Sequence, residues 1–272
     1  MTEDVDHGCY GLRVDGMPGA GHLLSPAPHD APLLAVEQHN LADRAGRFLD
    51  QETFPLLGGG ELVVERQGPG AAYYLPVPLT SAELVHPWLA AAAVPRNLHL
   101  GRLVMHGGLT GVADRGVAVV GDRGAGKSTM MASAALAGAA VYSDDVVVVD
   151  SGRAYCGPRH VDLRPGTAEQ LPGLAVEPAR EGSRDRAVLT PVPWSVALSA
   201  IVVLRWGPEL SLHPIPPRER LLALQGHVAC HPRADSRRDL LALVGVPLYC
   251  LTRPKTFSLL HQALAEVIQI VS

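Results

Sequence analysis

Lys127, Ser128 and the adjacent pair Asp144-Asp145 are the residues of this chain whose types and spacing could do chemistry. The lysine and serine close the stretch Gly121-Asp122-Arg123-Gly124-Ala125-Gly126-Lys127-Ser128, which fits the pattern G-x-x-x-x-G-K-S/T and runs on into Thr129. Glycines at 121, 124 and 126 open backbone conformations closed to residues with a Cβ, so successive N–H groups can turn toward phosphate oxygens. A helix starting inside the loop adds the partial positive charge of its N-terminus. In this pattern the lysine reaches the β- and γ-phosphates and the serine hydroxyl binds Mg²⁺. A glycine loop can also be a plain strand-to-helix turn. Here the β-branched run Val117 to Val120 precedes it and the alanine-rich stretch Ser128 to Gly138 follows, which is the context a nucleotide loop needs.

The two aspartates lie 17 residues beyond Lys127, directly before the apolar run Val146 to Val149, and so sit at the edge of a predicted strand. Side-by-side carboxylates repel unless a cation or a shared proton relieves them. Mg²⁺ would take one of them together with phosphate oxygens and water, leaving the second for another task. For an arbitrary Asp-Asp, a solvated turn is the commoner outcome. One helix after a phosphate loop, the pair is instead equipped to supply a metal ligand and a base for an acceptor hydroxyl, the combination a kinase requires. His106, at the end of the predicted strand Leu100 to Met105, lies 15 residues before Gly121. It is one of twelve histidines, and a lone histidine is more often structural than catalytic.

The elements that must position these groups divide the chain in two. Residues 1–95 carry Pro and Gly clusters (Ser25 to Pro28, Gly58 to Gly60) between short apolar runs at Leu33 to Val36, Leu62 to Val64 and Ala72 to Val77, and read as a small, irregular, β-rich module. An alanine-rich helix over Ala82 to Val94 ends this module, with Pro95 as the boundary. Residues 96–272 read as an α/β core: strands at Leu100 to Met105, Gly116 to Val120 and Val141 to Val149, then at Leu198 to Trp206, Leu210 to Ile215 and Val246 to Leu251, with helices at Glu219 to Leu224 and Phe257 to Val271. Glu177 to Arg186 reads as a mobile, charged loop.

A length of 272 residues with 47% hydrophobic and 18% charged content is enough to bury a sizeable core. Net charge is −4, so the global balance points neither to nucleic acid nor to an anionic membrane, and phosphate recognition must be local. Of 23 basic residues only Lys127 and Lys255 are lysines. Cys9, Cys156, Cys230 and Cys250 are scattered, with neither metal-ligand nor disulfide spacing. The acidic start (Glu3, Asp4, Asp6) is no secretory leader, and the longest nearly apolar run, Met130 to Tyr142, is too short to cross a bilayer. A cytoplasmic location is expected.

Taken together, His106-Gly107, the loop Gly121 to Ser128, a short helix and Asp144-Asp145 resemble the HPr serine kinase/phosphorylase family, and more distantly the nucleotide core of phosphoenolpyruvate carboxykinases. Val161-Asp162-Leu163-Arg164-Pro165 and Val246-Pro247-Leu248-Tyr249 look more like the HPr-kinase-like proteins of lasso-peptide clusters, which phosphorylate a serine of a precursor peptide. The resemblance covers about residues 100–165 well and implies an ATP- and Mg²⁺-dependent serine kinase of this P-loop fold. It makes Lys127 and Ser128 the loop lysine and metal-binding hydroxyl, the Asp144-Asp145 pair one base and one metal ligand, and His106 a group near the reacting phosphate; Asp144 is assigned here as the base and Asp145 as the metal ligand, with the reverse order open. It also points to Arg164, and to an arginine from the segment holding Arg180, Arg184 and Arg186, as phosphate or peptide contacts. Thr129 stands where HPr kinases usually carry Glu, and their longer Glu-and-Arg signature is not found after the aspartates, which weighs against the phosphorylase reaction and against HPr as substrate. The expected partners are a nucleoside triphosphate and a peptide or protein with an acceptor serine, without nucleic acid or membrane; a homo-oligomer is compatible with this reading. A nucleotide-dependent binding module without phosphotransfer, or a kinase of a protein such as HPr or of a small molecule, stays open at this stage.

Overall fold

The computed structural model describes residues 6–43, 48–56, 58–179, 182–229 and 234–272. The expectations that involve Glu3, Asp4, Arg180 and Cys230 lie outside the described residues. Seven strands open the chain: β1 (His7–Cys9), β2 (Leu12–Asp15), β3 (Ser25–Pro26), β4 (Leu33–Asn40), β5 (Gln51–Pro55), β6 (Glu61–Glu65) and β7 (Gly70–Leu75). They form one mixed sheet in the order β3-β1-β2-β4-β7-β6-β5. α1 (Ser81–Glu83) begins with a capping box, in which Thr80 and Glu83 satisfy each other's backbone N–H groups, and a kinked turn leads into α2 (Leu89–His99).

Pro95 does not end this helix. It lies inside α2 and is buried with Leu89, Ala92 and Ala93. Packing of that face outweighs the hydrogen bond a proline removes. Nor is the core of the first sheet closed on itself: Leu12, Leu34, Tyr73 and Leu89 cluster with Val104, Val146 and Val148 of the next sheet.

That second sheet has nine strands: β8 (Leu103–Val112), β9 (Arg115–Val120), β10 (Ala140–Ser143), β11 (Val146–Asp150), β12 (Arg153–Tyr155), β16 (Ser195–Trp206), β17 (Ser211–Pro214), β18 (Val228–Ala229) and β19 (Leu248–Arg253). β9 from Val117 to Val120 and β11 from Val146 to Val149 are runs of apolar residues because both of their faces are covered there. Val146 and Val148 meet the N-terminal sheet while Val147 and Val149 face the opposite cluster, as period-2 alternation dictates. β9, β16 and β19 run parallel, with Val203 opposite both Val120 and Cys250 and Trp206 opposite Arg253. Their carboxyl ends therefore open at one edge of the sheet. α3 (Lys127–Leu136) and the amphipathic α6 (Leu260–Gln269) cover one face; α4 (Pro217–Leu224) and α5 (Ala234–Gly245) lie on the other side. No sequence signal had marked α5.

A third sheet, in the order β13-β15-β14, combines β13 (His160–Leu163), β14 (Glu177–Ala179) and β15 (Arg184–Val188). In the segment expected to be a loop, the described residues instead form β14 and the start of β15, paired antiparallel. Asp162 and Arg186 are direct cross-strand partners, and this opposite-charge pair fixes the register that a mixed-sign charge run conceals.

Candidate functional site

The glycine loop joins β9 to α3. Gly124 and Gly126 both hold positive φ (86° and 92°), which favours glycine, and Gly126 caps α3 from that conformation. A Cβ on Gly126 would lie 2.4 Å from Nη2 of Arg253 and 3.3 Å from the Trp206 ring, so a larger residue would have to push the guanidinium aside as well as adopt φ 92°. Lys127 is buried, and its Nζ arches back to donate to the carbonyls of Gly121 (2.9 Å) and Asp122 (3.1 Å). Burial pulls its ammonium down in pKa, while Asp145 and Asp144 push it up.

The strand predicted over Val141 to Val149 is broken at the aspartates. β8 pairs with β10 through Ser143↔Leu109 and resumes with β11 at Val146↔His106, so Asp144 and Asp145 bulge out opposite Gly107 and Gly108. Asp145 adopts φ 73°, and its carbonyl accepts from the Gly107 N–H (3.0 Å) and from His106 Nδ1 (2.9 Å). The same ring nitrogen is 3.3 Å from Asp145 Oδ1. The two glycines also make room on other sides: a Cβ on Gly108 would strike Met131 Cγ at 2.5 Å, so its smallness lets α3 settle close, while a Cβ on Gly107 would lie 2.6 Å from the Val119 carbonyl oxygen of β9.

Asp144 is 7% exposed, and its Oδ1 has no hydrogen-bond partner. Burial first and the Asp145 charge second push its pKa up to about 7, against the hydrogen bond from the Ser128 side chain. The Ser128 hydroxyl and the two carboxylates that line the cleft with it are hard oxygen donors of the kind that fits Mg²⁺. Among the described residues no group of three or more His, Cys, Asp or Glu could hold a metal, so phosphate oxygens and water would have to complete such a shell.

These groups line a cleft of about 510 Å³ at the carboxyl edge of β9, β16 and β19, where ligands bind in parallel α/β sheets. Of the residues singled out by sequence it gathers Arg123, Gly124, Gly126, Lys127, Ser128, Thr129, Asp144, Asp145, His106, Arg164 and Arg184. Gly121, Asp122 and Ala125 face a neighbouring depression with Trp206 and His227. Arg186 is not brought into the cleft. It is 4% exposed and forks onto both oxygens of Asp162 (2.8 and 3.0 Å), with a further bond to the Ala82 carbonyl, so the expected phosphate contact gives way to a structural one. Burial alone would push Asp162 up, but His160 and Arg186 hold its carboxyl well below the usual range.

Sequence reasoning missed the far wall: His86, Asp162, Trp206, Arg253, Lys255 and Phe257. One signal was available, since both lysines of the chain, Lys127 and Lys255, line this cleft. In a chain of net charge −4, six cationic side chains against three carboxylates concentrate positive charge at this cleft. Among the described residues no helix is long and apolar enough to cross a membrane.

No family model matches the chain, and no curated protein matches it. Among solved structures, the HPr(Ser) kinase/phosphatase from Coxiella burnetii aligns with a TM-score of 0.31 and 11% identity, over 60% of this chain and 88% of that one. So distant a likeness leaves the chemistry to be read from the side chains of the cleft themselves.

Proposed function

We propose that the chain is an ATP- and Mg²⁺-dependent kinase that phosphorylates a serine hydroxyl, on a ribosomally made precursor peptide of the lasso type. One observation carries the reading: Asp144, buried beside Ser128 and Lys127 with an unpartnered oxygen, has its pKa at about 7, where a general base works best at neutral pH. In this reading the P-loop residues 121–129 cradle the phosphate chain, and Lys127 leaves the loop carbonyls to hold it. Ser128 and Asp145 would hold Mg²⁺, which would supply charge neutralisation for the phosphate oxygens. Asp144 takes the proton of the acceptor hydroxyl as its oxygen attacks the γ-phosphorus and the bond to ADP breaks. His106 steadies Asp145, and Arg164 and Arg184 meet phosphate or peptide at the rim. Phosphoryl transfer consists mostly of positioning and charge neutralisation, so these groups suffice.

The Ser128–Asp144 hydrogen bond favours a second assignment, with Asp144 on the cation and Asp145, beside His106, as base. Incubation with ATP, Mg²⁺ and candidate peptides, read by mass spectrometry, tests the whole reading: the expected product is a peptide heavier by one phosphate. Nucleotide binding with no phosphorylated product from any peptide or small hydroxyl compound would replace the kinase by a nucleotide-dependent binding module.

A further inference from the structure

Arg253 ends β19 at the cleft and is 3% exposed. Among the described residues no carboxylate pairs with it, its Nε has no hydrogen-bond partner, and its one hydrogen bond is a long contact from Nη1 to the Thr256 carbonyl at 3.4 Å. A buried charge left in this state costs stability unless something else meets it. What holds it is aromatic: the guanidinium stacks over the Trp206 ring with its carbon 4.2 Å from the centroid, and Trp206 Nε1 donates to the Gly124 carbonyl at 3.1 Å. Its Nη2 lies against Gly126, at the N-terminus of α3. The loop, the indole and the guanidinium thus form one stack that aims an uncompensated, always-charged fork at the space above the loop.

We propose that Arg253 is a phosphate-binding residue of the cleft, taking oxygens of the nucleotide's phosphate chain, and that Trp206 is the positioning residue that presets it. This rests on the reading of the cleft as a nucleotide site. It explains why a guanidinium is buried without an acid: its counter-ion is the ligand. It also gives Gly126 a second duty, since any side chain there would displace the fork.

The test compares wild type, Arg253→Gln, Arg253→Lys and Trp206→Phe by calorimetric binding of ADP and of a non-hydrolysable ATP analogue, with thermal melting in the absence and presence of each. The expected result is a tenfold to hundredfold (~1–3 kcal/mol) weaker affinity for Arg253→Gln, partial recovery in Arg253→Lys, a smaller loss for Trp206→Phe, and a ligand-free melting temperature of Arg253→Gln no lower than wild type. A wild type that binds nucleotide, beside an Arg253→Gln variant that binds it equally well, overturns the inference and leaves the nucleotide site standing. So does a variant that melts lower without ligand but keeps the full nucleotide-induced shift, because Arg253 is then only structural. If Arg253→Gln both melts lower and binds weakly, Arg253→Lys decides: recovery of affinity supports the assignment, and no recovery overturns it. A wild type that binds neither nucleotide overturns both readings at once.

Discussion

Two walls of the cleft each bury an aspartate, and the two behave in opposite ways. Asp144, on the loop side, is 7% exposed with one oxygen unpartnered, and its pKa rises to about 7. Asp162, on the three-stranded sheet, is 8% exposed, but His160 and the Arg186 fork, which takes both its oxygens, outweigh burial and its pKa falls. Equal burial of the same side chain gives one group free to exchange a proton and another locked as an anion. The number of donors that reach each carboxylate decides between reactivity and scaffolding, not burial itself. The cations divide in the same way: Arg186 is spent on Asp162, whereas Arg253 and Lys127 have no carboxylate within hydrogen-bonding reach among the described residues.

The contrast can be broken by substitution. Its largest expected consequence is for Asp144→Asn, which should lower phosphotransfer by about a hundredfold to ten-thousandfold while nucleotide affinity changes little; transfer rates and calorimetry read this together. Undiminished transfer would move the base to Asp145. Next in size, Arg186→Ala should destabilise the fold by about 3–5 kcal/mol in chemical denaturation, because it strands the Asp162 charge, and Asp162→Asn on that background should restore part of the loss.

A pH scan sharpens the comparison further. The folded pKa of Asp144, about 7, lies above its ordinary 3.8, so its contribution to stability is full at acid pH and fades as pH rises through 7. Asp144→Asn should therefore melt a few degrees higher than wild type near pH 8 and lose that advantage near pH 4, while wild-type transfer climbs between pH 6 and 8. Asp162 has the opposite sign: its contribution persists through neutral pH and is lost only in strong acid. The smallest effect belongs to the rim, where Arg164→Ala should raise the KM for nucleotide or peptide only about twofold to fivefold, and less at high salt, because the side chain is exposed.

What could be read from sequence was what is local in it. The run Val117 to Val120, the glycine loop, α3 and the aspartate pair lie within one strand-loop-helix-turn passage, and the cleft uses all of them. Arg253 and Trp206 were illegible because their role depends on the register of parallel strands far apart in the chain, Trp206 opposite Arg253 with β9 alongside. The charge run Glu177 to Arg186 failed for a related reason: whether it is loop or paired strand turns on a partner, Asp162, that local composition does not contain. Pro95 misled because burial overrode a local rule.

The parallel comb of β9, β16 and β19 also bears on how the protein is made. Its tips come from residues 120, 206 and 253, so this wall of the cleft is assembled from contacts of long sequence separation. During synthesis the glycine loop would leave the ribosome well before the strands that buttress it. An emerging chain would carry the recognisable motif without a competent cleft, which confines any activity to the finished molecule.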